Sequence, residues 1–173
     1  MRARLHENLR SNPTTWAAVS DRLPRSALPA ALFFSVRSGH LSDLDEIAAG
    51  VADAWTGCEF PLDGLKRADW STLFDLVGFI RGDQRAARPV HALTLFRGSV
   101  PTLRFRWSWT SDREKAEWFA QRRQHADARV WTCTAPPSAL LADFSGGPKR
   151  AEGEFVLNTR GLKISPSAVH SRR

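Results

Sequence analysis

An α+β architecture, with helices in the first half of the chain and strands in the second, is what this sequence predicts. Three observations lead there. Apolar residues recur at helical spacing up to residue 88, and from about residue 89 the periodicity shortens to that of strands. The chain has 173 residues, 42% of them hydrophobic, which suits one domain with a buried core and is short for two. The expected organisation is a mainly helical part, residues 1–88, and a β-rich part, residues 89–173, of the same domain.

Taken in order, Ser42 with Asp45 and Glu46 behind it reads as a helix N-terminus. Leu44, Ile47, Ala48, Val51 and Trp55 then recur at helical spacing. From Asp69 to Ile80 a second helix puts Trp70, Leu73, Phe74, Val77 and Ile80 on one face and ends near Gly82. The Pro-punctuated stretch 23–34 fits no single pattern. His91 to Arg97 alternates as a strand, and Phe105 to Thr110 is a second one. Ser111-Asp112-Arg113-Glu114 is a capping-box pattern, with Ser111 spent on the cap of a helix that buries Ala116, Phe119 and Ala120. Arg129 to Ala135 is a β-rich run stopped by Pro136-Pro137. A short helical turn is expected over 138–142, then a Gly-Gly-Pro loop at 146–148. Phe155–Asn158 and Leu162–Ile164 read as the last two strands, as a hairpin around Arg160-Gly161.

Composition narrows the chemistry. Seven Trp and ten Phe accompany no Tyr, which excludes any mechanism that needs a phenol. Lys and Arg number 25 against 18 Asp and Glu, a formal charge of +7 that attracts polyanions: nucleic acid, an acidic partner or a dinucleotide. Arg-rich composition by itself can also reflect a GC-rich genome. Two cysteines, Cys58 and Cys133, neither suit a disulfide scaffold nor a Cys-rich zinc site. The basic start MRARLHENLRSN has no apolar core of a secretory signal, and no stretch approaches a membrane span. A cytoplasmic protein without a membrane association is expected. No His/Asp/Glu spacing suggests a metal; His91 and His125 read as structural or exposed, and Trp118 and Phe119 as core.

Three features carry chemistry. Arg97 ends a strand and Gly98 lets the chain leave closely, so the guanidinium fork stands uncrowded for phosphate oxygens. Ser108 and Thr110 share one face of a strand. Glu152 and Glu154 flank Gly153, and a strand beginning at Glu152 aims both carboxylates to one side, raising each other's pKa. Singly, each is most often an ordinary surface charge, strand filler or loop.

Together and in this order, FRG, SWTSDREKAEWFA, VWTCTAPPSALLAD and EGEFVLN resemble the Arg-Ser-Glu class of ADP-ribosyltransferases over residues 91–164. Phe96 and Phe155 stand where that family often has Tyr, Trp109 stands where it has Thr, and the interval from Arg97 to Ser108 is short. The resemblance implies a helical part packed on a split pair of small, mostly antiparallel sheets whose cleft holds NAD as substrate. It implies that Arg97, with Gly98 and Thr110, holds the dinucleotide and that Ser108 orients the catalytic carboxylate. Glu154 would bond the nicotinamide ribose, and Glu152 would position or deprotonate the acceptor. The implied activity is mono-ADP-ribosyl transfer to a macromolecule, with a protein arginine first because of the Glu-X-Glu pair. An NAD-glycohydrolase toxin held by an acidic antitoxin, a transferase acting on nucleic acid, and a non-catalytic basic module gripping nucleic acid are the alternatives. Lys149 and Arg150, in the loop before the Glu pair, would face the acceptor.

Overall fold

Capping residues and apolar spacing account for most of the first half. The computed structural model describes residues 2–122, 125–146 and 153–168. The chain divides into two compact units, Met1–Ala87 and Arg88–Arg173, and the elements together make an α+β protein.

The first unit holds helices α1 (Arg2–Arg10), α2 (Trp16–Ser20), α3 (Leu28–Arg37), α4 (Leu44–Gly57), α5 (Pro61–Gly64) and α6 (Arg67–Val77). The cap of α4 is Asp43 rather than Ser42: its carboxylate accepts from Asp45 N at 2.8 Å and Glu46 N at 3.0 Å. Glu46 reaches across to accept from Trp16 N at 2.7 Å, serving the open start of α2. The unassigned stretch resolves into a 3-10 turn at Arg25–Ala27 and α3, with Pro29 in the first turn, where a missing N–H costs nothing. Helix α6 stops at Val77, earlier than the periodicity predicts. Gly78 takes φ +79, the left-handed geometry that terminates a helix, so Ile80 falls instead in strand β1 (Ile80–Arg81). That strand pairs with β2 (Gln84–Arg85). The unit's centre is aromatic: Trp55 meets Trp70 edge-on at 5.0 Å and Phe74 at 5.8 Å, all three fully buried. The buried indole N–H groups are satisfied, Trp16 by Asp53 at 3.0 Å and Trp70 by the Pro61 carbonyl at 2.9 Å.

The second unit contains β3 (Leu93–Ser99), β4 (Ser108–Thr110), α7 (Arg113–Gln121), β5 (Arg129–Ala135), β6 (Leu140–Asp143), β7 (Glu154–Leu157) and β8 (Ser165–Pro166). The strands lie in the order β6-β7-β4-β3-β5-β8, every one of these pairings antiparallel. They form one continuous order rather than two separate sheets. The join is narrow, however: β3 and β4 share the single register pair Phe96↔Thr110, whereas β3 and β5 share seven from Leu93↔Ala135 to Ser99↔Arg129. The sheet is therefore two three-stranded lobes hinged on one pair.

Several sequence expectations are corrected here. Strand β3 runs through Gly98 to Ser99 rather than ending at Arg97. Phe105 lies outside β4, because a 3-10 turn at Pro101–Leu103 uses up the connection. The helical turn expected at 138–142 is a 3-10 turn at Pro137–Ala139 followed by β6, whose apolar run Leu140-Leu141-Ala142 pairs with β7. Leu162–Ile164 is not a strand, and the hairpin does not form: the turn at Gly161 (φ +77) sends the chain to β5, where Ser165 and Pro166 pair with Thr132 and Trp131. Asp112, not Ser111, caps α7, accepting from Lys115 N at 3.2 Å. Trp118 is 54% exposed and thus outside the core, and Phe119 is half-buried. Only Ala116 and Ala120 of α7 are buried, because the helix backbone itself lies against β3.

That close approach rests on Gly98. A Cβ built there would run into the Ala116 carbonyl oxygen and lie 2.5 Å from Ala120 N, both rigid backbone of α7. Among the described residues no helix is long and apolar enough to cross a membrane.

Two outcomes follow. Gly98→Ala should destabilise the second unit by about 3 kcal/mol, read as a fall in denaturation midpoint together with faster amide exchange in α7. An unchanged midpoint would show that the helix is free to move. Burial pushes the Cys133 thiol up to about 11, so it should resist iodoacetamide at pH 8 until denaturant opens the fold. Brisk labelling of the native protein would contradict its buried position.

Candidate functional site

At the hinge between the lobes, β3 and β4 part after one pair, and backbone carbonyls beyond it need donors. Arg97 supplies them. Its Nη1 donates to the Ser108 carbonyl at 2.5 Å and its Nε to the Leu103 carbonyl at 3.0 Å. The guanidinium thus ties the 3-10 turn of the β3–β4 connection and the start of β4 to strand β3. The connection folds onto itself as well. Arg106 N donates to the Leu103 carbonyl at 3.1 Å, and Trp109 Nε1 to the Arg106 carbonyl at 2.9 Å.

Across the seam, β4 pairs with β7 in the register Ser108↔Val156, Trp109↔Phe155, Thr110↔Glu154. Directly opposed residues of an antiparallel pair share a face. Thr110 and Glu154 are therefore neighbours, with Ser108 two positions along on the same side. Glu154 is only 5% exposed, an uncommon position for a carboxylate unless opposite charge stands near. Arg97 provides that charge. Burial and the neighbouring Arg106 bring the Arg97 pKa down to about 10, while Glu154 pulls it the other way. A base whose pKa is lowered on folding carries its charge at a cost, and the cost would lapse only as pH rises through about 10. At neutral pH Arg97 is a desolvated cation flanked by one cation and one carboxylate.

The structure accordingly brings Arg97, Ser108, Thr110 and Glu154 to one seam. Ser108 contributes its carbonyl to Arg97, and its strand position keeps it half-buried beside the Glu154 face. Thr110 Oγ1 accepts from Asp112 N at 3.1 Å, linking β4 to the cap of α7. Gly98 serves the packing of α7 rather than a departing loop. Glu152, Lys149 and Arg150 lie outside the described residues. β7 begins at Glu154, after Gly153 with φ +58, and the expectation that Glu152 shares a strand face with Glu154 lies outside the described residues. A Cβ on Gly153 would also sit 3.3 Å from Thr110 Oγ1. His91 and His125 are exposed.

Sequence reasoning missed Arg106, whose charge acts on Arg97. The alternation Arg104-Phe105-Arg106-Trp107 was the available signal, and it looked like the start of a strand. Comparison with family models, curated proteins and solved structures finds no match to this chain.

Substitution should separate the backbone from the side-chain roles at the seam. Thr110→Val keeps the side-chain shape but removes the acceptor for Asp112 N, and should cost about 1 kcal/mol in denaturant unfolding. Ser108→Ala leaves the carbonyl that Arg97 uses and should change stability by less than about 0.5 kcal/mol. A larger loss in Ser108→Ala than in Thr110→Val would reverse this assignment.

Proposed function

We propose that this protein cleaves NAD at the nicotinamide glycosidic bond and transfers the ADP-ribose unit to a macromolecular acceptor, with a protein arginine as the first candidate. One observation carries the reading: a buried carboxylate, Glu154, lies within electrostatic reach of a desolvated guanidinium, Arg97, at a seam where two sheet lobes part. NAD presents matching charges, an anionic pyrophosphate and a cationic nicotinamide ring.

The chemistry suits those two groups. When the C1′–N bond breaks, its electron pair goes to the nicotinamide nitrogen, which leaves neutral and needs no acid. Positive charge develops on the ribose, and a fixed carboxylate in a dry site stabilises it more than it stabilises the ground state. Glu154 takes that role in this reading, and Arg97, fixed by its two carbonyl bonds, offers the phosphates a positive charge already in place. The acceptor nitrogen or oxygen forms the new bond to C1′ and gives its proton to a base. The Glu-X-Glu pattern assigns that base to Glu152. Supporting the reading are the order of the motif-bearing elements and the α+β fold.

Incubation with NAD labelled in the adenylate part, followed by measurement of nicotinamide release, tests it. Glu154→Gln is isosteric and should lower release about a thousandfold; it also removes the charge opposite Arg97, so release is compared at a temperature where circular dichroism shows the variant folded. Arg97→Lys keeps charge but loses the two carbonyl bonds, so it should lower the denaturation midpoint and, where the variant is still folded, raise KM more than it lowers kcat. No nicotinamide release from NAD in the presence of cell lysate would end the proposal.

A further inference from the structure

The two units differ sharply in charge. Residues 88–173 carry fifteen Lys and Arg against seven Asp and Glu, a net of +8. Residues 1–87 carry ten against eleven, a net of −1. The basicity of the chain therefore belongs to the β-rich unit, which a uniform compositional bias does not explain.

Part of that charge is gathered around the β3–β4 connection. The Arg104 guanidinium lies 4.3 Å from the Phe105 ring centroid and 5.6 Å from that of Trp131. Arg129, on the edge of β5, stands 5.7 Å from the same Trp131 ring. Among the described residues neither Arg104 nor Arg129 has a carboxylate partner; Arg104 donates to the Pro101 carbonyl and Arg129 to that of Asp127. Two cations sharing one indole without a counter-ion repel each other, an arrangement that an incoming anion relieves. Arg106 adds a third positive charge, beside Arg97.

Apolar groups alternate with these charges. Phe105 is 41% exposed and Leu103 39%. Both sit on a backbone that is held from several sides. Thr159 Oγ1 donates to the Phe105 carbonyl at 2.7 Å, Arg97 to that of Leu103, and Trp109 to that of Arg106. An exposed ring on a fixed turn, flanked by guanidinium groups, loses little entropy when something stacks on it.

We propose that Leu103–Arg106 together with Arg129 forms a platform for single-stranded nucleic acid. Phosphates pair with the arginines, and an unstacked base lies against Phe105 and the Arg104 plane. An acidic protein would use the charge but has no need of the half-exposed ring among it; a duplex would keep its bases away from the ring. The inference concerns binding alone and holds whether or not the protein consumes NAD.

The test is fluorescence anisotropy with a labelled oligothymidylate of about ten nucleotides, without NAD. Binding should weaken with salt, and Arg104→Ala and Arg129→Ala should each lower the slope of log Kd against log salt by about 0.7. Phe105→Ala should weaken binding about tenfold with the salt slope unchanged. Arg37→Ala, which removes an arginine set 6.0 Å from the Phe33 ring in the other unit, should change nothing. Circular dichroism of each variant separates lost binding from lost folding, and Arg129→Lys should retain the slope if Arg129→Ala unfolds. Equal affinity for polyglutamate, or for an abasic strand of the same length, would overturn the proposal. So would Kd values that Arg104→Ala, Arg129→Ala and Phe105→Ala all leave untouched.

Discussion

A single guanidinium holds the β-rich unit together at its weakest point. Only Phe96↔Thr110 joins the lobes as a register pair, and two carbonyls near it, Ser108 at the start of β4 and Leu103 in the 3-10 turn before it, are within reach of one side chain. Arg97 donates to both. A lysine has no fork to reach two carbonyls in different directions, and a neutral side chain would lack the charge that balances Glu154. The residue is therefore structural and electrostatic at once. Its two backbone bonds preset its position, so whatever it faces meets a cation that does not need to be ordered first.

The seam also depends on what lies behind β3. Gly98 lets the backbone of α7 press onto the strand, and the Asp112 cap that starts the helix is bonded to Thr110, the residue paired with both Phe96 and Glu154. Strand, cap and carboxylate are thus linked through one threonine. Gly153 completes the set from the other side. Its left-handed φ turns the chain directly into β7, and its lack of a side chain leaves room for the Thr110 hydroxyl. Small residues at 98 and 153 and a hydroxyl at 110 shape the seam across which Glu154 acts electrostatically on Arg97.

Much of this was legible in the residues, and the failures have physical reasons. The α+β class followed from the change in periodicity, and β5 was readable in full because its β-branched run ends at two prolines. Helix starts shift by one residue where two capping candidates stand side by side, as at Ser42-Asp43 and Ser111-Asp112. In both cases the carboxylate won, since it satisfies amide donors with a full charge next to the positive end of the helix dipole. The β7–β8 hairpin failed for a different reason. A glycine turn announces that the chain reverses, but not which edge it rejoins, and β8 found β5. At the site, period-two alternation placed Ser108 and Thr110 on one face of β4, opposite Val156 and Glu154. No local pattern could show that Arg97 crosses the seam, because its partners belong to a connection and a second strand.

The balance of charge at the seam connects its architecture to the kind of ligand it suits. Burial and the like charge of Arg106 lower the Arg97 pKa while Glu154 raises it, so Arg97 lies between a cation and a carboxylate. Two arginines side by side favour an anion. A ligand that was only an anion, however, would be repelled by Glu154 wherever it approached that side. The arrangement favours a molecule with negative charge at one end and positive charge, present or developing, at the other. Under the proposed function NAD meets both conditions, with the pyrophosphate on the arginine side and the ribose that becomes cationic on the carboxylate side. Glu154 then gains attraction as the bond to nicotinamide stretches. Arg97, already held by two carbonyls, contributes equally before and after. The carboxylate would govern the rate and the guanidinium the binding, a division of labour set by where each side chain was fixed when the sheet folded.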